Sequence, residues 1–378
     1  MLTIAIPQLY CGASGQRGAY NRQEVGLARA FAALGARAVV LYPAPGADKI
    51  EVETPAEKVK VLYCPAKTLG VNAFYKSWQP LLDEKVDAVH VMGDNSLAVP
   101  GLYRFCRAHS IFFYSQLGAL ASQSQNPAVR RVMDLFCRRN LAIYRRTPTY
   151  AKTQAVADEL EALRVPCAGV LPVGLDTAII PEISEPRAAL RRRLGLDEKA
   201  NYLLFVGRLD PYKRPLDVAA VLAALPETWQ AIVIGQGSLA GALAEAMQAS
   251  GLQDRWRQIP QLPNAEVQAY YHACDVFLNC NDREIFGMSL LEAMYAGCVP
   301  VARCAPGPDM IVEDGVSGFL VEPGAGDTAV LAKAVRKAAE APAMADAAKA
   351  RIRSKFLWRN SAETALAMLQ TKGGKRDG

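Results

Sequence analysis

DVFLNCNDREIFGMSLLEAMYAGCVPVAR, residues 275–303, contains a complete strand, loop, helix and strand in one run. DVFLNC is apolar without alternation, as a strand covered on both faces requires. A polar loop carries Glu284, Phe286 and Gly287, and helical spacing runs from Met288 to Ala296, stopped by Gly297 with Pro300 just beyond. CVPVAR is the next buried strand. Working outward, NYLLFVG (201–207) and QAIVIG (230–235) repeat the pattern, each followed by a loop and a helical segment. The same rhythm occurs earlier in LTIAIP (2–7), ARAVVLYP (36–43), VDAVHVMG (86–93), IFFYSQ (111–116) and AGVLPVG (168–174). Between the two series lies GLDTAIIPEISEPRAALRRRLGLDEKA (174–200), polar and proline-containing, which reads as a connection. The fold class predicted is α/β, with two Rossmann-like doubly wound parallel-sheet domains facing across a cleft lined by loops at the strands' carboxyl ends.

Composition narrows the function. The chain has 378 residues, 51% hydrophobic and 21% charged, which is globular and excludes collagen-like and disordered classes. Its nine cysteines are odd in number and form no paired Cys-x-x-Cys, so neither a disulfide framework nor a zinc ribbon is expected; reduced thiols and a cytoplasmic location are. The opening MLTIAIPQLYC lacks a basic leader region, and no apolar stretch approaches the ~20 residues that cross a bilayer. Only His90, His109 and His272 occur, too dispersed for a histidine metal site or a Ser/His/Asp hydrolase. The net charge of +6 points to anionic partners.

Two segments carry phosphate chemistry. The helix from Met288, with Ser289 in its first turn, offers backbone N–H groups and a positive dipole end to an anion. Glu292, one turn inside, can accept two ribose hydroxyls, and Glu284 before the helix can bind hydroxyls of whatever the phosphates carry. In FVGRLDPYKRPLDVAAVLAAL, the strand ends at Gly207, and Arg208 and Lys213 stand before a second helix, placed to neutralise a departing diphosphate. No Asp-x-Asp occurs in the chain, so the usual carboxylate pair for a divalent cation is lacking and these two cations take its place. No cofactor and no metal are expected.

With these segments in view, the chain resembles the retaining glycosyltransferases of family 4, which have the GT-B fold. Glu284 and Glu292, with seven residues between them, match the E-x7-E motif within EIFGMSLLEAMYAGCVPVA; GRLDPYK matches G-R-L-x-x-x-K; QAIVIGQGS, PNAEVQAYYHACDVFLN and VEDGVSGFLVEPG are similar to the flanking elements. The likeness is nearly continuous from Asn201 to Gly324. It is looser in SGQRGAYNRQEVGLARAFAALGARAVVL, VDAVHVMG and LPVGLDT, while FLWRNSAETALAML is similar to the last helix, which crosses back onto the first domain.

The resemblance implies an acceptor domain over 1–172, a nucleotide-sugar donor domain over 173–354, and a helix over 355–372 returning to the first. It implies a hexosyl or glycosyl transfer from a nucleoside-diphosphate sugar, UDP being the family's commonest nucleotide, to an acceptor hydroxyl in glycan or glycoconjugate biosynthesis. Arg208 and Lys213 bind the diphosphate, Glu292 the ribose and Glu284 the sugar; the backbone at Phe286, Gly287 and Met288 lies against sugar and phosphate. Gly15 and Gly18 let the first loop approach the phosphates. The leaving phosphate takes the acceptor proton, so no dedicated base is needed. A nucleotide-sugar-binding regulatory subunit and a nucleotide-sugar epimerase are the alternatives.

Two positions depart from the family pattern. Where a histidine often ends a strand of the first domain, FFYSQLGA offers Ser115 and Gln116, and Gln116 cannot titrate. Asp309 stands where Glu is common. Gln116 and His90 are the acceptor-side candidates, His90 serving equally as a satisfied strand residue. AVRRVMDLFCRRNLAIYRR sets Arg130, Arg131, Arg138, Arg139, Arg145 and Arg146 among Val132, Leu135, Phe136 and Ile143. This is either a solvated helix face or a peripheral contact with an anionic membrane, at the inner face for a cytoplasmic protein. Basic residues without interleaved aromatics argue against nucleic acid.

Overall fold

The computed structural model describes residues 1–11, 22–120 and 127–373. The chain forms two compact units, Met1–Asp176 together with the segment from Leu357 onward, and Thr177–Phe356.

Among the described residues the first unit is built on nine strands: β1 (Thr3–Pro7), β2 (Arg37–Pro45), β3 (Glu51–Ala56), β4 (Val59–Leu69), β5 (Asn72–Tyr75), β6 (Ala88–Val91), β7 (Phe112–Leu117), β8 (Thr149–Ala151) and β9 (Cys167–Val170). They lie in the order β3-β4-β2-β1-β6-β7-β8-β9, with β5 also on β4. From β4 to β9 every pairing is parallel, whereas β3 and β5 run antiparallel to β4. The antiparallel pieces depart from the all-parallel expectation; β3 carries exposed Glu51 and Val52 at the sheet edge, where helices need not cover it. Val39, Leu41, Val89, Val91 and Phe113 form the core, each side chain contributing about 1.5–3 kcal/mol by leaving water.

The second unit has six strands: β10 (Asn201–Val206), β11 (Trp229–Ile234), β12 (Trp256–Ile259), β13 (Val276–Asn279), β14 (Val299–Arg303) and β15 (Phe319–Val321). All pairings are parallel, in the order β12-β11-β10-β13-β14-β15. Counted from its first strand this is 3-2-1-4-5-6, the doubly wound order. The chain reverses its winding between β10 and β13, so the loops after these two strands open a crevice at their carboxyl ends.

The unit boundaries fall at 176/177 and 356/357, a few residues beyond 172/173 and 354/355. Leu175 forms a bridge with Leu357, and a side chain at Gly174 would lie 2.2 Å from the Trp358 nitrogen, so both crossing segments belong to the first unit. The last helix, Trp358–Gly373, packs on the helix Gln23–Ala33 of that unit. The stretch 174–200, read as a connection, contains the helix Arg187–Arg193. Its arginine-rich sequence hides the period: Leu190 and the stem of Arg191 supply the buried face, and the Arg191 guanidinium donates to the Ala273 carbonyl at 2.9 Å and to Asp275 at 2.8 Å.

Candidate functional site

The two loops at the reversal point of the second sheet bring Lys213 and Glu284 together. After β10, Gly207 donates its N–H to the Ile234 carbonyl at 3.0 Å, and a short 3-10 turn, Pro211–Lys213, lifts Lys213 toward the neighbouring loop. Gly235 (φ 153°) at the end of β11 presses against this turn; a Cβ there would lie 1.9 Å from the Gly207 oxygen. The glycines of GQGS thus let two backbones meet.

After β13, Asn279 accepts from the Asn281 N–H at 3.0 Å and Asn281 from the Arg283 N–H at 3.0 Å, closing successive turns. These present Glu284, whose carboxylate forms an ion pair with Lys213 Nζ and accepts from Asn281 Nδ2 at 3.1 Å. Gly307 donates its N–H to the Glu284 carbonyl at 2.8 Å, fixing the loop from behind. Phe286 is buried against Phe356, and Gly287 (φ 100°) takes the left-handed conformation that starts the helix Met288–Ala296. No side chain caps that start, so the first-turn N–H groups, including those of Met288 and Ser289, lack intrahelical acceptors.

Glu292 lies one turn in, 6% exposed. Asn264 Nδ2 donates to one oxygen at 3.1 Å and the Tyr271 hydroxyl to the other at 3.2 Å, leaving each oxygen a further lone pair. Burial pushes its carboxyl up to about 7, against the pull of these two donors. Asn264 and Tyr271 lie two turns apart on the helix Asn264–Ala273, a seven-residue spacing that places them on one face and was the available signal for them.

Arg208 is not brought to Lys213. Its side chain is 66% exposed and pairs with Asp210, which in turn accepts from the Ser238 N–H and hydroxyl at 3.1 Å each. The Ser238 N–H, burial notwithstanding, and the Arg208 guanidinium hold the Asp210 carboxyl below its ordinary range. Between the two cations stands Tyr212, its ring 6.0 Å from the Arg208 guanidinium and 5.3 Å from Lys213 Nζ. Periodicity gives no hint of this aromatic. Asp309 accepts from the Ala305 N–H at 3.1 Å at the start of its own short helix.

In the first unit, Gly15 and Gly18 lie outside the described residues, as do the residues from 121 to 126. His90 and Gln116 are both 0% exposed. His90 Nε2 lies 3.1 Å from Gln116 Oε1, and Gln116 donates to the Leu171 carbonyl at 2.6 Å, so the pair braces the segment leaving β9. Burial lowers the His90 imidazole to about 4, keeping it neutral, and its Nδ1 has no hydrogen-bond partner among the described residues. All nine cysteines are free thiols. Among the described residues no group of three or more His, Cys, Asp or Glu is placed to hold a metal ion, and no helix is long and apolar enough to cross a membrane. In the helix Pro127–Tyr144, Leu135 (62%) and Phe136 (44%) are exposed beside exposed Arg131, Arg138 and Arg139.

The family model described as Glycosyl transferases group 1 matches residues 186–355. A D-inositol 3-phosphate glycosyltransferase of Geodermatophilus obscurus is 34% identical over 193 residues, which is 48% of this chain and 42% of that protein. The chain thus matches less than half the length of this curated relative. Sucrose-phosphate synthase from Thermosynechococcus elongatus superposes with a TM-score of 0.75 at 19% identity, covering 99% of this chain and 100% of that one. Anabaena HepE in complex with UDP superposes with a TM-score of 0.74 at 21% identity, covering 98% and 100%. The chain therefore has two parallel-sheet α/β domains matching GT-B glycosyltransferase structures, and its residues 186–355 match the glycosyl transferases group 1 model.

Proposed function

We propose that the protein is a retaining, metal-independent glycosyltransferase that moves a sugar from a nucleoside-diphosphate sugar, with UDP as nucleotide, to an acceptor hydroxyl in glycan or glycoconjugate biosynthesis. The observation that carries this reading is the meeting of Lys213 and Glu284 at the reversal point of the second sheet, beside an uncapped helix start with Glu292 one turn inside. The diphosphate binds the first-turn N–H groups from Gly287 to Ser289 together with Lys213 and Arg208; Gly207 leaves room for it. The two ribose hydroxyls donate to the free lone pairs of Glu292, and the sugar hydroxyls bond Glu284. In the transfer, the sugar–phosphate C–O bond breaks, the acceptor oxygen bonds the same carbon on the same face, and the acceptor proton passes to the departing phosphate oxygen. Lys213 stabilises the charge that develops there, a role suited to a cation already fixed before reaction.

The UDP complex of HepE supports UDP as the first nucleotide to test, and the name of the Geodermatophilus relative supports D-inositol 3-phosphate as a first acceptor. His90 and Gln116 act on the acceptor side by holding the segment after β9. A cytoplasmic location accords with nine unpaired cysteines. The exposed Leu135 and Phe136 among arginines support a peripheral contact with an anionic membrane at its inner face. Cosedimentation with phosphatidylglycerol vesicles, lost in Leu135→Ser with Phe136→Ser and absent with phosphatidylcholine vesicles, checks that contact.

Thermal melting with UDP, GDP, ADP and their sugar conjugates, EDTA in every well, tests the donor assignment. A ligand at a hundred times its Kd adds about 2.7 kcal/mol to stability. A shift with UDP and its conjugates is expected; no shift with any nucleotide, with or without magnesium, overturns the donor site.

A further inference from the structure

Behind the Lys213–Glu284 pair runs a chain of alternating charges that begins on a fully buried arginine. Arg303, the last residue of β14, is 0% exposed. Its Nε and Nη2 donate to the two oxygens of Asp327 at 2.7 and 2.9 Å, and its Nη1 donates to the Cys280 carbonyl at 2.7 Å and to Asp217. The same Asp217 oxygen accepts from Arg214 Nε at 2.9 Å, and Arg214 Nη1 donates to Asp282 at 2.7 Å. Arg214 follows Lys213 directly and holds a left-handed backbone (φ 52°), a conformation costly for a side-chain-bearing residue. Asp282 lies two residues before Glu284. The ladder Asp327–Arg303–Asp217–Arg214–Asp282 therefore ties the loop after β10 to the loop after β13, within two residues of each member of the pair at the site.

Removing a guanidinium from water is poorly repaid in stability, and an apolar side chain would fill such a position as well or better. What an arginine adds is direction: its planar donors fix one carboxylate bidentately and leave the others aimed elsewhere. Here the remaining donors grip a carbonyl of one loop and the carboxylate that anchors the other. The local turns at Asn279 and Asn281 set the shape of the β13 loop but reach no residue of the β10 loop; beside the Lys213–Glu284 pair itself, the Arg214–Asp282 rung of the ladder joins the two. Glu292 is held separately, by Asn264 and Tyr271.

We infer that Arg303, acting through Asp217, Arg214 and Asp282, is a positioning residue that sets the approach of Lys213 to Glu284, and so governs the sugar and leaving-phosphate end of the site without governing the ribose end. The kinetic part of this inference rests on the donor reading above.

The test uses Arg214→Met and Asp282→Asn in the full chain, since both residues are partly exposed and fold more safely than Arg303 variants, with Asp282→Glu as the conservative control. Reductive methylation of Lys213, followed by mass spectrometry, should speed at least threefold in the first two variants, with Lys333 unchanged as internal reference. Turnover of the nucleotide sugar selected by melting should fall at least tenfold while its KM and the Kd for UDP stay within about threefold. Asp282→Glu should remain within twofold of wild type in every measure. Unchanged methylation and unchanged turnover overturn the inference, and so does an equal loss of UDP affinity and turnover, which marks general damage. A wild-type protein that binds no nucleoside diphosphate refutes the donor reading instead, and the methylation rates then decide the ladder by themselves.

Discussion

Replacing Glu292 by Gln should change the pH dependence of stability of the second unit in a way that no other substitution at the site would. The Glu292 carboxyl sits in a buried nest that raises it from an ordinary 4.5 to about 7. Between these values the unfolded chain has lost the proton while the folded chain retains it. Stability contributed by the buried acid is therefore complete below about pH 4.5, declines as pH rises toward 7, and is flat above. A shift of this size amounts to at most about 3 kcal/mol. In a unit of this size about 1 kcal/mol moves the midpoint by roughly 2–4 °C, so the effect reaches about 10 °C. Gln is isosteric and does not titrate; whatever fixed cost its amide brings against Asn264 and Tyr271 is the same at every pH. The assay is the melting temperature of the second unit in wild type and Glu292→Gln at pH 5 and pH 8, without nucleotide. Wild type should lose ground to the variant by several degrees between the two pH values. A difference between the proteins that is equal at pH 5 and pH 8 would falsify the buried, proton-retaining carboxyl. Nucleotide affinity should move the other way under the proposed donor site: a charged acceptor of two ribose hydroxyls lost there costs about 1.5–3 kcal/mol per hydrogen bond, so Glu292→Gln should bind UDP at least tenfold more weakly at pH 8.

Lys213→Ala should lower turnover by about a hundredfold or more through lost charge stabilisation; steady-state turnover near the wild-type value would remove that loop from the chemistry. Gly235→Ala should destabilise the second unit by about 2 kcal/mol or more and abolish nucleotide-dependent stabilisation, because the added methyl meets the Gly207 carbonyl; calorimetric melting that matches wild type would show that the two turns part freely. His90, lowered by burial to about 4, stays neutral in the folded first unit while its unfolded counterpart protonates near 6.5, so that unit keeps its full stability above about pH 6.5 and loses it as pH falls toward 4. A carbon-detected NMR titration of the imidazole should show a midpoint below about 5, and a midpoint near 6.5 would contradict its burial.

The strands of the second unit were legible because NYLLFV, QAIVIG, DVFLNC and CVPVAR are continuous apolar runs between helical segments, the signature of a sheet covered on both faces. Glu284 and Lys213 were legible for a local reason, as polar residues in the loops after two such strands. Their mutual contact was not, since it depends on β10 and β13 being neighbours, which strand order decides and no local pattern records. Arg208 reads from sequence as the equal of Lys213, yet Asp210 two residues on turns it toward solvent. Arg303 escaped notice because a single arginine closing an apolar strand looks like the residue that leaves the core; only Asp217 and Asp327, from two distant helices, make its burial possible. The antiparallel β3 and β5 were missed because EVETPA is polar and largely exposed and NAFY, though buried, is only four residues long. The arginine-rich helix Arg187–Arg193 was missed because its stem-and-guanidinium packing mimics a solvated segment.

The interleaving of the two units has a consequence for biosynthesis. Thr177–Phe356 is one uninterrupted stretch, whereas the first unit needs Trp358–Gly373, made after all of it. On the ribosome, the second unit has every strand it needs while the first still lacks its closing helix. Until then Gly26, whose missing side chain makes room for the Trp358 ring, leaves an unfilled groove on the helix Gln23–Ala33, and Arg29 holds Asp176 with nothing yet across the groove from them. The order of synthesis thus makes the second unit the first that can close, while the amino-terminal segment waits for its last helix.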